Sequence, residues 1–353
     1  MRFALTNPGS LAGAGFDAII DARSPAEFAE DHLPGAINLP VLDDAERARV
    51  GTIYVQESRF LARRLGASLV AANVARHLAA APLAQAGPKF RPLVYCWRGG
   101  QRSGAFAAIL GQIGWQVATL DGGWRAWRRA VVATLYDRPC PAPVMVLDGN
   151  TGTAKTALLA RVAARGVQVI DLEGLARHRG SLFGACPGGQ PSQKAFESAL
   201  AVQVAALDPA RPVLVEAESN KVGDRLIPPA LWQAMCTAPR LTVAAPLPAR
   251  AAYLAQAYAD IAANPPALDA MLAALRQFHP RDRIADWQRM AAAGEGVALA
   301  AALMAEHYDP RYARQRARHA TGGVVLETEA LDPDALDRLA DRIVTALPAL
   351  PPA

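Results

Sequence analysis

Val94-Tyr95-Cys96-Trp97-Arg98-Gly99-Gly100-Gln101-Arg102-Ser103 and Leu147-Asp148-Gly149-Asn150-Thr151-Gly152-Thr153-Ala154-Lys155-Thr156 are the two stretches that decide how this chain folds. Each follows a short apolar run that reads as a strand and precedes a segment that reads as a helix. A loop in that position turns a row of backbone N–H groups and a helix N-terminus toward one point, where an anion or a thiolate is favoured. One loop is built around a cysteine and the other around a lysine. The chain therefore joins a thiolate site to a phosphate site.

Around the first loop, residues 16–21 read as a buried strand. Ser24-Pro25-Ala26-Glu27 then supplies an N-cap Ser, a Pro at the first helical position and a Glu at the capping-box position. Leu33-Pro34-Gly35-Ala36 turns the chain into a short strand at 37–39, and an Ala/Leu/Val-rich stretch predicts a helix over 66–85. A strand at 93–95, the Cys96 loop, a helix from Ser103, a strand at 116–120 and a helix over 124–135 complete the module. Strands alternating with helices predict an α/β fold with a parallel sheet. Tyr136-Asp137-Arg138-Pro139-Cys140-Pro141-Ala142-Pro143 reads as a Pro-rich linker. A second α/β alternation begins at Val144, with strands at 167–171 and 212–216 and helices over 248–262 and 268–278. The expected division is a first domain over 1–135, a linker over 136–143, and a P-loop domain over 144–353 whose C-terminal region is helical and basic.

The 353 residues allow two domains of ordinary size, and 52% hydrophobic with 20% charged residues is a globular composition. A formal net charge of +5 permits a polyanionic partner such as RNA without demanding one. The four cysteines include no CxxC pair and lie near no histidine cluster, so they read as thiols in a reducing compartment, with no zinc site expected. Every long Ala/Leu run is interrupted before the roughly 18 apolar residues of a membrane span. A cytoplasmic protein without a membrane partner is expected.

Cys96 ends a strand, opens a Gly-containing loop and has Arg98 and Arg102 close by, the setting that lowers a thiol pKa and makes it a nucleophile. A buried, inert strand-end cysteine is the plain alternative, which the Arg-Gly-Gly-Gln-Arg-Ser sequence argues against. In the second loop, Gly149, Gly152, Lys155 and Thr156 follow the P-loop pattern G-x-x-x-x-G-K-[ST], except that Ala154 replaces the last glycine. Its amides would cradle phosphates, Lys155 would reach the outer one, and the Thr156 hydroxyl suits a magnesium ion. Val213-Leu214-Val215-Glu216-Ala217-Glu218 puts carboxylates at a strand end beside that loop; they read either as metal- or water-positioning groups or as solvated acids.

Asp21-Ala22-Arg23-Ser24-Pro25-Ala26-Glu27-Phe28, His32-Leu33-Pro34-Gly35-Ala36-Ile37-Asn38-Leu39-Pro40, the Cys96 loop and Asp121-Gly122-Gly123-Trp124 together resemble a rhodanese domain. In such domains the loop cysteine carries sulfur or selenium as a persulfide-type adduct. Five residues separate Cys96 from Arg102, where many single-domain rhodaneses have four; Cys-x5-Arg is also the spacing of cysteine phosphatases. Downstream, the Gly-, Arg- and His-dense 171–184, Pro191-Ser192-Gln193-Lys194-Ala195-Phe196-Glu197, Glu216-Ala217-Glu218-Ser219 and His307-Tyr308-Asp309-Pro310-Arg311-Tyr312 resemble the tRNA 2-selenouridine synthase family, a rhodanese domain fused to a P-loop domain.

That resemblance implies a tRNA-modifying transferase acting on a tRNA with 2-thiouridine at the wobble position. The sulfur is first prenylated from geranyl diphosphate, and the S-geranyl group is then displaced by selenium from selenophosphate. Both donors are co-substrates carrying phosphate, so no tightly bound cofactor is expected, and the selenophosphate-producing enzyme is a conceivable partner. Cys96, with Arg98 and Arg102, would handle the chalcogen. Arg177, His178, Arg179, Ser192, Lys194, Glu216, Glu218, Arg311 and Arg314 would bind tRNA or a donor, Arg316, Arg318 and His319 extending the basic tail; a solvated basic helix face is the simpler reading of any one of these arginines. Gly66 stands where the family has a glycine between two helices and reads equally as packing. Two other assignments remain open on the residues: a cysteine phosphatase or arsenate-type reductase joined to an NTPase, and a regulatory fusion that catalyses nothing.

Overall fold

Two parallel five-stranded sheets organise the chain in the computed structural model, which describes residues 1–181, 184–316 and 323–347. The first contains β1 (Arg2–Phe3), β2 (Ala18–Asp21), β3 (Ala36–Asn38), β4 (Pro92–Tyr95) and β5 (Ala118–Leu120), in the order β1-β5-β4-β2-β3. All four pairings are parallel, as alternation with helices requires. β4 is central and all four of its residues are buried, so the cysteine loop issues from the middle of the sheet's C-terminal edge. Ile20 and Val94 pack with Phe106 and Leu110 of the helix Gln101–Gln112 and with Val74 of the helix Arg59–Leu78.

The capping box at Ser24 forms, with the Ser24 N–H donating to Glu27 Oε2 at 3.2 Å. The long helix differs from its predicted span. It runs Arg59–Leu78, not 66–85, because Ser58 caps it by accepting from the Leu61 N–H, and the chain breaks before Pro82 into a short turn, Leu83–Gln85. A preceding helix, Asp44–Gln56, has almost no apolar stripe and buries none of its residues, so hydrophobic periodicity could not announce it.

The second sheet contains β6 (Val144–Gly149), β7 (Gln168–Ile170), β8 (Val213–Glu216), β11 (Arg240–Ala244) and β12 (Gly323–Glu327), in the order β12-β11-β6-β8-β7; a small hairpin of β9 (Lys221–Val222) and β10 (Arg225–Leu226) stands apart. β6 is again central and wholly buried. The chain runs from β6 to β7 and back to β8 on one side, then crosses β6 to β11 on the other, and such a reversal point in an open α/β sheet is where ligands bind. Helices Leu247–Ala257, Ala259–Ala262, Pro265–Ala274, Arg281–Ala292 and Gly296–Leu303 form the helical part, with Trp287, Leu272 and Ile284 in its own core. The expected single helix over 248–262 is broken at Tyr258.

Domain limits need one correction. The chain divides into Met1–Pro139 with Pro191–Ala206, and Cys140–Gln190 with Leu207–Ala353. The Pro-rich segment does contain the boundary, but residues 191–206, expected in the second domain, belong to the first unit. The helix Gln193–Ala205 is held there by Trp127 Nε1 donating to Ser198 Oγ (2.9 Å), and by Arg128 and the Tyr136 hydroxyl donating to Glu197 (2.6 and 2.7 Å).

Candidate active sites: a thiolate loop and a phosphate loop

Cys96 is 3% exposed, at the C-terminal end of β4. Its Sγ lies 3.2 Å from Ser103 Oγ, in the first turn of the helix Gln101–Gln112. Burial opposes ionisation, but the Ser103 hydroxyl and N–H, the Arg102 charge and the Arg98 N–H together outweigh it, and the thiol sits below its ordinary value. Two glycines shape the loop. Gly99 has φ +67°, and a Cβ there would stand 2.7 Å from Leu120 O; a Cβ at Gly123 (φ +56°) would meet Cys96 O at 2.2 Å. The Asp121-Gly122-Gly123-Trp124 turn can therefore lie against the loop, where the Trp124 and Arg125 N–H groups donate to Cys96 O and Trp97 O at 2.8 and 3.1 Å.

The two expected arginines act differently. Arg102 donates to Glu27 Oε2 at 2.7 Å, and Glu27 also pairs with Arg47 at 3.1 Å, so a carboxylate from the Ser24 capping box aims the arginine that ends the loop. Arg98 is exposed, and it supports the sulfur through its backbone N–H. Beneath the loop, buried Asp21 accepts from Arg23 and from the Tyr95 hydroxyl (2.7 Å), while Asp31 accepts from Trp124 Nε1 (2.8 Å). These contacts join the sequence motifs around 21–28 and 121–124 into one support. Sequence reasoning did not single out Glu27 or Ser103 as site residues, although Ser103 directly follows Arg102.

Ser192 and Lys194 lie in this first unit and not in that of Lys155. Ser192 caps the helix Gln193–Ala205 by accepting from the Ala195 N–H (3.0 Å) and bonds to Glu30 O, while Lys194 pairs with Glu30. Both hold that helix in place.

The lysine loop follows β6 and opens the helix Lys155–Ala164. Gly149 and Gly152 have positive φ, and a Cβ on either would collide with Thr153 Oγ1 (2.4 Å) or Arg250 O (2.9 Å). Ala154 also adopts the left-handed conformation (φ 59°, ψ 30°), which fits its standing where the P-loop pattern has glycine. Arg250, buried and paired with Asp309 (2.8 Å), donates to Thr151 O at 3.1 Å and braces the loop from behind. Lys155 Nζ donates to Gly149 O at 3.0 Å and lies 5.5 Å from the Tyr312 ring centre. Burial opposes its charge, but Tyr312, Glu173, Glu218 and Asp148 hold its pKa above the ordinary value.

Glu216 pairs with Leu147 across β6 and β8 and is fully buried; its Oε1 accepts from the Glu173 N–H at 2.7 Å, and its Oε2 has no hydrogen-bond partner among the described residues. Burial, then the charges of Asp171 and Glu173, push its carboxyl well above the usual range. Glu218 is pushed up likewise by burial and Glu173. Burial thus disfavours the charged form of both carboxyls. The Thr156 hydroxyl donates to Glu173 Oε2 at 2.7 Å.

A cleft of about 340 Å³ brings Gly152, Lys155 and Thr156 together with Glu173, Arg177, His178, Arg179, Tyr258 and Tyr312. The Gly/Arg/His-dense segment thus walls the phosphate loop. Arg177, itself left-handed (φ 48°), is exposed in that wall; Arg179 pairs with Asp260 at 2.7 Å and lies over the Tyr258 ring. A second, mainly apolar pocket of about 160 Å³, lined by Leu254, Ile261, Leu268, Leu299 and Leu303, shares Thr151, Ser181, Leu254 and Tyr258 with the cleft. In the basic tail, Arg311 donates to the His307 ring and stacks on Phe278 at 4.2 Å, while Arg314 is exposed. Arg318, His319 and the side chain of Arg316 lie outside the described residues. Among the described residues no helix is long and apolar enough to cross a membrane.

Residues 10–130 match the rhodanese-like domain family, and residues 142–279 match the family described as the tRNA 2-selenouridine synthase AAA domain. The tRNA 2-selenouridine synthases of Chromohalobacter salexigens and Aeromonas salmonicida are 42% and 38% identical over 69% and 68% of this chain. That of Cupriavidus necator is 42% identical over 63% of it. The matched stretches span 65%, 64% and 60% of those relatives' own lengths, somewhat under two thirds. With a thiolate loop on a rhodanese-like unit and a phosphate loop on the unit that follows, the chain belongs to the tRNA 2-selenouridine synthase family.

Proposed function

We propose that the protein converts the wobble 2-thiouridine of a tRNA to 2-selenouridine through an S-geranylated intermediate, with geranyl diphosphate and selenophosphate as co-substrates. The observation that carries this reading is the apolar pocket beside the phosphate-loop cleft, with which it shares the lining residues Thr151, Ser181, Leu254 and Tyr258. A nucleotide has no use for such a pocket next to its phosphates, whereas a prenyl diphosphate has one charged end and one hydrocarbon end.

In the first step the thiocarbonyl sulfur attacks C1 of geranyl diphosphate, the C–O bond breaks and diphosphate departs, the base losing its N3 proton. Loop amides and the Lys155 ammonium take up the charge that develops on the leaving group. Burial disfavours the charged form of Glu216 and Glu218, which lessens their repulsion of that anion. In the second step selenium enters at C2 and geranylthiol leaves, the phosphoryl group of selenophosphate passing finally to water. The thiolate loop of Cys96 serves this step, and Arg177, His178 and Arg314 suit tRNA or donor phosphates.

Nucleoside mass spectrometry of 2-thiouridine tRNA incubated with enzyme and both donors tests the reading. S-geranyl-2-thiouridine with geranyl diphosphate alone, and 2-selenouridine once selenophosphate is added, are expected. Direct selenation without geranyl diphosphate would remove the prenylated intermediate.

A further inference from the structure

We propose that Tyr258, Tyr308 and Tyr312 form an aromatic collar that stabilises positive charge on the allylic carbon of geranyl diphosphate, so that its C–O bond breaks ahead of C–S bond formation. This inference rests on geranyl diphosphate being the donor, and it assigns three further residues to the transfer step.

The collar stands where the reacting carbon must sit. Tyr258 lines both the apolar pocket and the phosphate-loop cleft, Tyr308 lines the pocket, and Tyr312 lines the cleft. A prenyl diphosphate with its hydrocarbon in one cavity and its phosphates in the other has C1 at their junction. Local structure brings the rings there. The helix Leu247–Ala257 ends at Tyr258, whose backbone leaves the helical region (φ −113°, ψ 22°). Tyr308 closes the π-helical turn Met304–Tyr308, and Tyr312 follows four residues on in the helix Asp309–Arg316, a spacing that puts both on one face. Ser181 Oγ lies 3.3 Å from the Tyr258 hydroxyl and also bonds to that of Tyr308, which ties the two phenols together.

Two of the rings already take a cation on a face. Arg179 Cζ lies 4.9 Å from the Tyr258 ring centre, and Lys155 Nζ lies 5.5 Å from that of Tyr312. Asp260 pins Arg179 to one face of Tyr258, and a ring has two. A diphosphate seated in the loop draws the Lys155 ammonium to its oxygens, which gives the Tyr312 face to the substrate carbon. Burial raises the Tyr258 and Tyr308 phenols above their ordinary value; at Tyr312 the Lys155 charge pulls the other way, and burial with Glu218 outweighs it. All three hydroxyls are thus neutral near pH 7, and none is a phenolate that would capture the carbon.

The chemistry calls for rings at this point. Charge developing at C1 is shared with C3, and the leucines of the pocket offer it no solvation. Water or a carboxylate at C1 would add to the carbon, whereas the face of a ring attracts the cation and forms no bond. The electron pair of the C–O bond goes to diphosphate, where Lys155 and the loop amides meet it. A lone pair of the 2-thio sulfur then makes the C–S bond, and the N3 proton of the base leaves to solvent. Nothing is oxidised or reduced.

Transfer to 2-thiouridine tRNA is measured with the full-length enzyme, using geranyl diphosphate and its 2-fluoro analogue, whose fluorine destabilises an allylic cation. The fluoro donor should react far more slowly. Tyr258→Leu and Tyr312→Leu should each lower kcat about tenfold with little change in KM, and the Phe variants should recover most of that loss. A fluoro donor as fast as its parent overturns the proposal, as do Leu variants that raise KM alone or Phe variants as slow as Leu. Binding examines the collar apart from the reaction. With inorganic diphosphate present, the wild type should bind geranyltrimethylammonium more tightly than its neutral carbon isostere, and the Leu variants should lose that preference while the Phe variants keep it. Equal binding of the two probes by the wild type counts against the collar. A ring-dependent preference for the cation in an enzyme that geranylates no tRNA upholds the collar and removes the functional reading instead.

Discussion

Ser103 Oγ lies 3.2 Å from Cys96 Sγ across the anion loop, and this contact is the largest of those favouring the thiolate over its burial. The lowered thiol pKa means that Cys96 remains ionised at pH values where an ordinary cysteine is protonated. Alkylation of Cys96 by iodoacetamide, followed by peptide mass spectrometry against pH, should show a midpoint below that of a free thiol. Ser103→Ala removes a cause that lowers the pKa, so the midpoint should move up by about one unit. Cys140 and Cys236, pushed up by burial, should react only at higher pH and serve as internal references. A midpoint unmoved in Ser103→Ala would mean that Arg102 and the backbone amides suffice.

Lys155 holds the only ammonium of the phosphate loop, close to Tyr312 and several carboxyl groups. Lys155→Ala removes a charge-assisted contact to the donor and should raise the KM for geranyl diphosphate roughly ten- to a hundredfold. Steady-state geranylation at several donor concentrations measures it. A tRNA-stimulated ATPase in the wild type, abolished in the variant, would favour an NTPase and count against a prenyl donor.

Ala154 occupies the left-handed region with its methyl group buried. Ala154→Gly relieves about 1 kcal/mol of backbone strain and loses a buried methyl of similar worth, so stability should change by less than about 1 kcal/mol. Ala154→Val keeps the burial but places a β-branched side chain in that conformation and should cost more than about 2 kcal/mol. Denaturant unfolding of the three proteins gives the comparison; equal stability of the Gly and Val variants contradicts it.

Arg311 and Arg314 should separate in experiment, although the sequence offers them as one basic cluster. Arg314 is exposed, and Arg314→Ala should reduce the salt slope of tRNA binding by about one unit at unchanged thermal stability. Arg311 stacks on Phe278 and donates to His307, whose pKa is pushed down to about 4 by burial, by Arg311 and by His279. Arg311→Ala should therefore lower stability by about 1 kcal/mol and let His307 titrate at higher pH. Melting curves, His307 proton NMR titration and binding isotherms at several salt concentrations distinguish the two roles.

Much of this was open to sequence reasoning, because loop chemistry is local. The strand–loop–helix settings of Cys96 and Lys155 follow from adjacent residues, and so does the Ser24 capping box, since each depends on groups a few positions apart. The Gly-, Arg- and His-dense stretch around Arg177–Arg179 stands out in the sequence for the same reason, and it lines the cleft beside the lysine loop. The sequence by itself determined the two α/β modules, their order and the two anion loops.

Tertiary structure decided the partners. A capping glutamate is visible in sequence, but only the fold brings Glu27 to Arg102, 75 positions away. Likewise Arg250 meets Asp309, 59 positions on, and Leu254, Leu268 and Leu299 meet around one apolar pocket. The helix Gln193–Ala205 has apolar residues that had to be buried somewhere, and only packing assigned them, with Ser192 and Lys194, to the first unit. The physical reason is common to all of these. Hydrophobic period and residue type state that a face must be covered or a charge paired, but the covering surface and the opposite charge come from distant segments. Their meeting is fixed by the sum of many weak contacts over the whole chain.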